Sequence, residues 1–320
     1  MLQMFRVAGI PVRVDFSWLF VFALISWSLA SGFVPHVLPE LTPVATWLHA
    51  VAAAALLFVS VFLHELSHSL VALRQGVGVL EIRLHVFGGT SELETEPPTP
   101  RAEFVIAVVG PLTSFVLAGL CYGLGRTVAG LPWAVALTGF LAAVNLVVGL
   151  FNLVPGFPLD GGRLLRAALW GWSGQLGWAT RWASRMGSLF AFTLVALGLV
   201  RALGGELVGG LWFVLIGVFL HQAARSSAEL GRLRERLERA RVSDVMTPLA
   251  TTLDALAAHQ LDDAVTPGAS AWEAYTKLSR RGVAHLAVLE RGRLVGVVSR
   301  RDLQRVVAPE PKPAVGHRAA

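Results

Sequence analysis

The residues best suited to chemistry in this sequence are two histidines one helical turn apart, with a glutamate beside the first: Phe62-Leu-His64-Glu65-Leu-Ser-His68. Residues i and i+4 share a helix face, so His64 and His68 can offer two imidazoles to one divalent ion. Glu65 then points beside them, where it can take a proton from water held on that ion. This is the H-E-x-x-H arrangement of zinc chemistry. The bland alternative is two helix-end histidines and a glutamate snorkelling to the surface. Catalytic zinc usually takes three protein ligands and keeps one position open, which leaves a vacancy. The candidate for it is Asp160, in Asn152-Leu-Val-Pro155-Gly-Phe-Pro158-Leu-Asp160-Gly161-Gly162. The two prolines predict an unwound chain, and the glycines admit backbone close to a neighbour. An ordinary Asp160 N-cap for a helix over 161–170 is the competing reading.

The elements that must position these residues are apolar. Of 320 residues, 54% are hydrophobic and 15% charged, against roughly 25% charged in an ordinary soluble domain. Residues 1–224 hold 21 of the charged side chains and residues 225–320 the other 27, so a long apolar body precedes a module of normal charge density. That division excludes a single soluble core, and one cysteine, Cys121, excludes a disulfide scaffold. The net charge of +6 divides as +1 in the body and +5 in the tail. No basic face is concentrated in the body, and no nucleic-acid partner is expected.

A bilayer crossing needs about 20 mostly apolar residues. Phe16–Pro39, Leu41–His64, Phe104–Gly125 and Leu131–Leu159 contain no charged residue, and Met186–Val200 and Leu207–Ala224 are shorter runs that can span with their flanks. The fold class read from this is an α-helical polytopic membrane protein of about six helices, with a small β-hairpin and a C-terminal α+β domain. The first run exceeds the usual length of a signal-peptide core, so it is expected to be a span. Arg6, Arg13, Arg74, Arg83, Arg101, Arg163, Arg166, Arg181, Arg185 and a cluster from Arg225 all fall on one side. Only Arg126 and Arg201 fall on the other. The positive-inside bias therefore predicts a multi-pass cell-membrane protein with both termini cytoplasmic. Charges inside spans are costly and mark function by default, which singles out Glu65 and Asp160.

Leu80, Ile82, Leu84 and Val86 alternate with Glu81, Arg83 and His85 before Gly88-Gly89. This period-two pattern predicts a hairpin or re-entrant strand whose edge can pair with an extended peptide. Gly110-Pro111 predicts close helix packing in the third span. His36 is placed in an external loop, and His49 and His221 are read as hydrogen-bonded packing residues. Arg225–Arg241, with six Arg, three Glu, and Leu230, Leu233 and Leu237 at helical spacing, predicts a juxtamembrane helix, either on the anionic inner surface or solvated.

His64-Glu65-x-x-His68 in one span, with Asn152-x-x-Pro155-x-x-Pro158-x-Asp160-Gly161 in a later one, resembles the site-2 protease family of intramembrane zinc metalloproteases over residues 1–225. The resemblance implies one Zn2+ per chain held by His64, His68 and Asp160, with Glu65 as the catalytic carboxylate. It implies that Asn152 helps hold substrate or the developing oxyanion, and that the hairpin is a membrane-associated β-element.

The tail reads as a separate unit. Val242-Ser-Asp-Val-Met-Thr-Pro248 opens it, a helix over 271–281 follows, and residues 286–303 read as strand, tight turn at Arg291-Gly292, strand, then a helix start capped by Ser299. This is similar to a CBS domain, as in the protease subgroup that carries one. In that family the positions of Ser299 and Asp302 commonly contact the ribose and phosphate of an adenine nucleotide. CBS units normally work in pairs and one copy is visible here, beside a long 249–264 stretch, so pairing implies a homodimer. The expected organisation is a protease domain over 1–225, a linker helix over 226–241, a CBS-like domain over 242–308 and a disordered tail over 309–320. The function expected is regulated intramembrane proteolysis of membrane-protein substrates. A CBS-gated metal transporter or channel is the rival.

Overall fold

The computed structural model describes residues 2–85, 88–248 and 264–307. The chain divides into two compact units, Met1–Ser227 and Ala228–Ala320.

The first unit starts with strands β1 (Leu2–Val7) and β2 (Ile10–Val14), an antiparallel hairpin turned by Ala8 and Gly9, both at positive φ. Asp15 caps helix α1 (Phe16–Ser28) by accepting the Ser17 N–H at 2.9 Å. That hydrogen bond holds its carboxyl below the usual carboxylate range. A π-helical turn (Leu29–Phe33) and a short α2 (Val34–Val37) complete the first apolar element. His36, expected in a loop, lies exposed in α2, inside the charge-free run that ends at Pro39.

Helix α3 (Pro43–Arg74) follows, then strands β3 (Val79–His85) and β4 (Gly88–Leu93), then helices α4 (Pro100–Thr127), α5 (Pro132–Asn152), α6 (Asp160–Ser173), α7 (Leu176–Leu203) and α8 (Leu207–Arg239). Thr42 and Thr99 cap α3 and α4 through the N–H groups of Ala45 and Ala102. A proline opens each of α3, α4 and α5, where its missing N–H costs nothing. Six elements are long and apolar enough to cross a membrane: Phe16–Val37, α3, α4, α5, α7 and α8. Large apolar side chains such as Phe20, Leu120 and Leu203 project outward from them, as they must where the surrounding medium is hydrocarbon. The chain is thus a multi-pass membrane protein by fold.

The expected hairpin is present as β3 and β4, but it is half of a larger element. The sheet runs β1-β2-β3-β4, with β2 and β3 parallel (Val12 opposite Ile82, Val14 opposite Leu84). Two membrane-length elements, Phe16–Val37 and α3, separate these paired strands in sequence, so the helical hairpin returns to the face it left. One side of the sheet, Ile10, Val12 and Ile82, packs on Phe62 and Leu66 of α3, next to His64 and His68. The other side is tied by charge: buried Glu81 takes Arg13 at 2.8 Å and also Arg83, which reaches Glu92 at 3.5 Å. Strand β2 alternates buried Ile10, Val12 and Val14 with Pro11 and Arg13, but the two N-terminal strands are only six and five residues long and were not among the sequence expectations.

The second unit is an α/β sandwich built on the end of α8, then α9 (Val242–Val245), β5 (Thr247–Pro248), α10 (Ala271–Arg281), β6 (His285–Glu290), β7 (Arg293–Ser299) and α11 (Arg300–Val307). Its sheet is ordered β5-β7-β6. Arg291 and Gly292 turn β6 into β7 at positive φ, where the sequence placed the turn. Leu237, Val242, Leu278, Leu286, Val288 and Leu303 form its buried core. The expected linker helix over 226–241 is therefore not a separate element. Helix α8 continues to Arg239, and Leu237 is wholly buried in this core. The 249–264 stretch, apart from Ala264, and the 309–320 tail lie outside the described residues.

Candidate metal centre

Helix α3 brings His64 and His68 to one face, and both are buried. Helix α4 orients them. His68 Nδ1 donates to the Ile106 carbonyl at 2.6 Å, and His64 Nδ1 meets Ser114 Oγ at 2.9 Å. With Nδ1 engaged outward, each ring turns Nε2 inward, the arrangement a partner on the far nitrogen imposes on metal-binding histidines. The two Nε2 atoms lie 3.3 Å apart, and Asp160 Oδ2 lies 3.1 Å from each.

That triangle is a test of fit. Three ligands about 2.0–2.1 Å from a tetrahedral ion stand about 3.3–3.4 Å from one another. Edges of 3.1, 3.1 and 3.3 Å match one face of such a tetrahedron and leave the fourth corner open. The donor set of two imidazoles and one carboxylate suits zinc. Among the described residues this is the one cluster of three candidate metal ligands.

Asp160 reaches the cluster because the chain is irregular from Leu153 to Leu159, where α5 has ended and α6 has not begun. The competing capping role fails. Asp160 is already the first residue of α6, its N-cap is Leu159, and no side chain caps the helix. Asp160→Ala is expected to weaken zinc binding by more than the about 10–100-fold typical of losing an outer partner. Metal analysis of the purified protein checks this, and full retention removes Asp160 from the ligand set.

Gly110 carries a role that the sequence reading gave to packing alone. A Cβ built there would stand 2.6 Å from His64 Nε2 and overlap His68 Nε2. The missing side chain is the room in front of the two imidazoles. Ser114, Ile106 and Gly110 lie along one face of α4 at helical spacing, a signal legible once the partner helix is known.

Glu65 is half-buried beside the histidines. Ser91 of β4 donates to its Oε2 at 2.9 Å, and Ser69 donates to Ser91 or to the Glu65 carbonyl, both at 3.1 Å. Strand β4 passes so close that a Cβ on Gly89 would meet the Glu65 side chain. Burial pushes the nearby His85 imidazole down, and the Glu65 charge opposes this. The serine was missed because nothing in Gly-Gly-Thr-Ser-Glu marks it out before the strand is placed.

Asn152 closes α5 and is half-buried. It stands at the head of the irregular segment, and its side chain does not join the ligand triangle. His49 Nε2 and His221 Nδ1 are buried without hydrogen-bond partners, which corrects the expectation that both are hydrogen-bonded. In the second unit, Ser299 and Asp302 satisfy each other. Asp302 Oδ2 accepts from the Ser299 N–H at 2.9 Å and from its hydroxyl at 2.6 Å, and Ser299 Oγ accepts from the Asp302 N–H at 3.3 Å. This is a reciprocal helix cap.

Comparison with known proteins places these elements. The model of peptidase family M50 matches residues 52–134 and 129–194, and that of the CBS domain matches 242–309. Rip3 of Mycobacterium tuberculosis is 41% identical over 76% of this chain and 62% of its own length. The chain thus spans under two thirds of that relative. Protein sll0528 of Synechocystis sp. is 34% identical over 93% of this chain and 76% of its own length. A solved structure, a site-2 protease from Methanocaldococcus jannaschii, aligns at 28% identity over 71% of this chain and 94% of that one, with a TM-score of 0.48.

Proposed function

The chain belongs to peptidase family M50, and from that premise we propose that it is an intramembrane zinc endopeptidase that cuts membrane-protein substrates in or near their spans. The observation that carries this reading is the ligand triangle of His64, His68 and Asp160 with Glu65 next to it, in a body of six membrane-length helices. The protease domain is read as 1–225 and the CBS domain as 242–308, with both termini cytoplasmic on the arginine placement.

His64, His68 and Asp160 would hold a zinc ion, which when bound would supply Lewis acidity toward a carbonyl and toward water. Glu65 accepts the proton of the attacking water and delivers it to the leaving amine nitrogen. Ser91 fixes the carboxylate for this by occupying one lobe of Oε2. A helical substrate hides its carbonyls in backbone hydrogen bonds, so it must be extended before attack. Among the described residues, strand β4 pairs with β3 on one side and is the outer strand of its sheet. An unwound substrate added to that free edge lies beside Glu65. Asn152 is read as a hydrogen-bond donor to the substrate or the oxyanion.

The CBS domain is read as a regulatory module that pairs with a second chain. An adenine nucleotide at Ser299 and Asp302 has to compete with their mutual cap. Nucleotide titration of the full chain is therefore expected to lose its binding heat in Asp302→Ala, and an unchanged heat removes Asp302 from the reading. The function itself is tested by comparing the membrane-protein termini of cells expressing wild-type and Glu65→Gln protein. New termini within apolar segments are expected with the wild type alone. Metal flux into proteoliposomes that persists in Glu65→Gln favours the transporter reading instead.

A further inference from the structure

We infer that Glu103 and Arg166 are a positioning pair that sets Asp160 against the two histidines, an inference that rests on the metal-centre reading. The histidines take their orientation from α4, through Ile106 and Ser114. Asp160 comes from a different element, the start of α6. The geometry of the triangle therefore depends on how α6 is held on α4, and a polar link between the two helices lies near the site.

Glu103, in the first turn of α4, is fully buried. Its Oε1 accepts from Arg166 Nε at 2.7 Å and from Nη2 at 2.5 Å. Arg166 lies six residues beyond Asp160 on α6. Its guanidinium also covers the ring of Phe157 at 5.1 Å, and Phe157 is buried in the irregular segment that delivers Asp160. One planar cation thus meets α4, α6 and the segment before Asp160 together. A lysine has neither the fork nor the flat face for this.

The arrangement is costly for a packing device. Glu103 Oε2 is buried without a hydrogen-bond partner, and a buried ion pair can often be replaced by apolar residues with no loss of fold. Retaining it is explained if the pair fixes orientation. Glu103 is one turn before Ile106 and two turns before Gly110, so a shift at the pair is carried to the imidazoles by a rigid helix.

The experiment uses the full chain in detergent, in the Glu65→Gln background. Glu103→Leu with Arg166→Met removes both charges and keeps apolar volume. The zinc dissociation constant is measured by chelator competition, the visible spectrum is recorded after Co2+ substitution, and thermal unfolding is followed without metal. The zinc-free double variant is expected to unfold near the wild-type temperature, to bind zinc about 10–100-fold more weakly, and to give an altered Co2+ spectrum. Arg166→Lys is the second variant, should the double one fail to fold, and the same weakening is expected of it. His64→Ala in the same assay is expected to lose zinc, and retention there refutes the metal centre itself. If His64→Ala loses zinc while a folded pair variant keeps wild-type affinity and an unchanged spectrum, the pair is structural only and the inference is overturned.

Discussion

Glu65→Gln is expected to keep its zinc and to lose peptide cleavage by about 10²–10⁴-fold, the range for removing a positioned proton carrier. The substitution is conservative in every respect but one. Glutamine has the same length, so its amide oxygen can still accept from Ser91, and none of the three proposed ligands changes. What is lost is the capacity to hold a proton taken from water and to give it to the amine that leaves. Metal content and cleavage of a co-expressed membrane substrate are measured on the same preparation. Cleavage within tenfold of wild type would sink the role given to Glu65, and loss of zinc would show that Glu65 serves the ligand set instead.

Gly110→Ala is expected to remove zinc from a protein that remains folded. Its added carbon would stand 2.6 Å from His64 Nε2 and overlap His68 Nε2, well inside contact distance. Neither imidazole can swing away without breaking the bond to Ser114 or to the Ile106 carbonyl. Alanine is the better helix former by about 1 kcal/mol, but overpacking against two buried side chains costs about 1–3 kcal/mol, so the metal-free variant is expected to stay folded and to unfold somewhat below the wild-type temperature. Zinc affinity is expected to fall by at least about 100-fold, more than the loss of an outer partner. A cooperative metal-free unfolding transition together with a large loss of zinc affinity distinguishes a blocked site from a damaged fold. Wild-type zinc content would show that α4 stands farther from the histidines.

The residues of the proposed metal centre were legible in the sequence because they sit in a medium that punishes charge. Few residues in the apolar body are ionisable, and a helix places His64 and His68 together by spacing alone. Asp160 is legible for the same reason, with its prolines announcing the break in the helix. What could not be read is whatever depends on a neighbouring helix. Gly110 is a common residue in a span until two imidazoles are set in front of it. Ile106 acts through its carbonyl, which every residue has. Ser91 becomes a partner of Glu65 only when β4 lies across α3. Arg166 counted as evidence for membrane orientation, and its burial against Glu103 needed the crossing of α4 and α6. The N-terminal hairpin is local, but its place in the four-stranded sheet was unread because β2's second partner, β3, lies far along the chain.

That distance has a consequence in time. Strand β2 ends at Val14 and its parallel partner β3 begins at Val79, so some 65 residues are made before the two can meet. At 5–20 residues per second, synthesis leaves the first hairpin with an open edge for roughly 3–13 s. Through that interval two apolar helices enter the membrane beside it. Arg13 on β2, whose eventual partner Glu81 has yet to be made, is a charge that discourages pairing with the wrong strand in the meantime. The strand that lies over Glu65 is the last of the four to form. On the proposed function, proteolytic competence would be withheld until the sheet is finished, because a nascent chain would have no edge beside its glutamate on which to seat a neighbour.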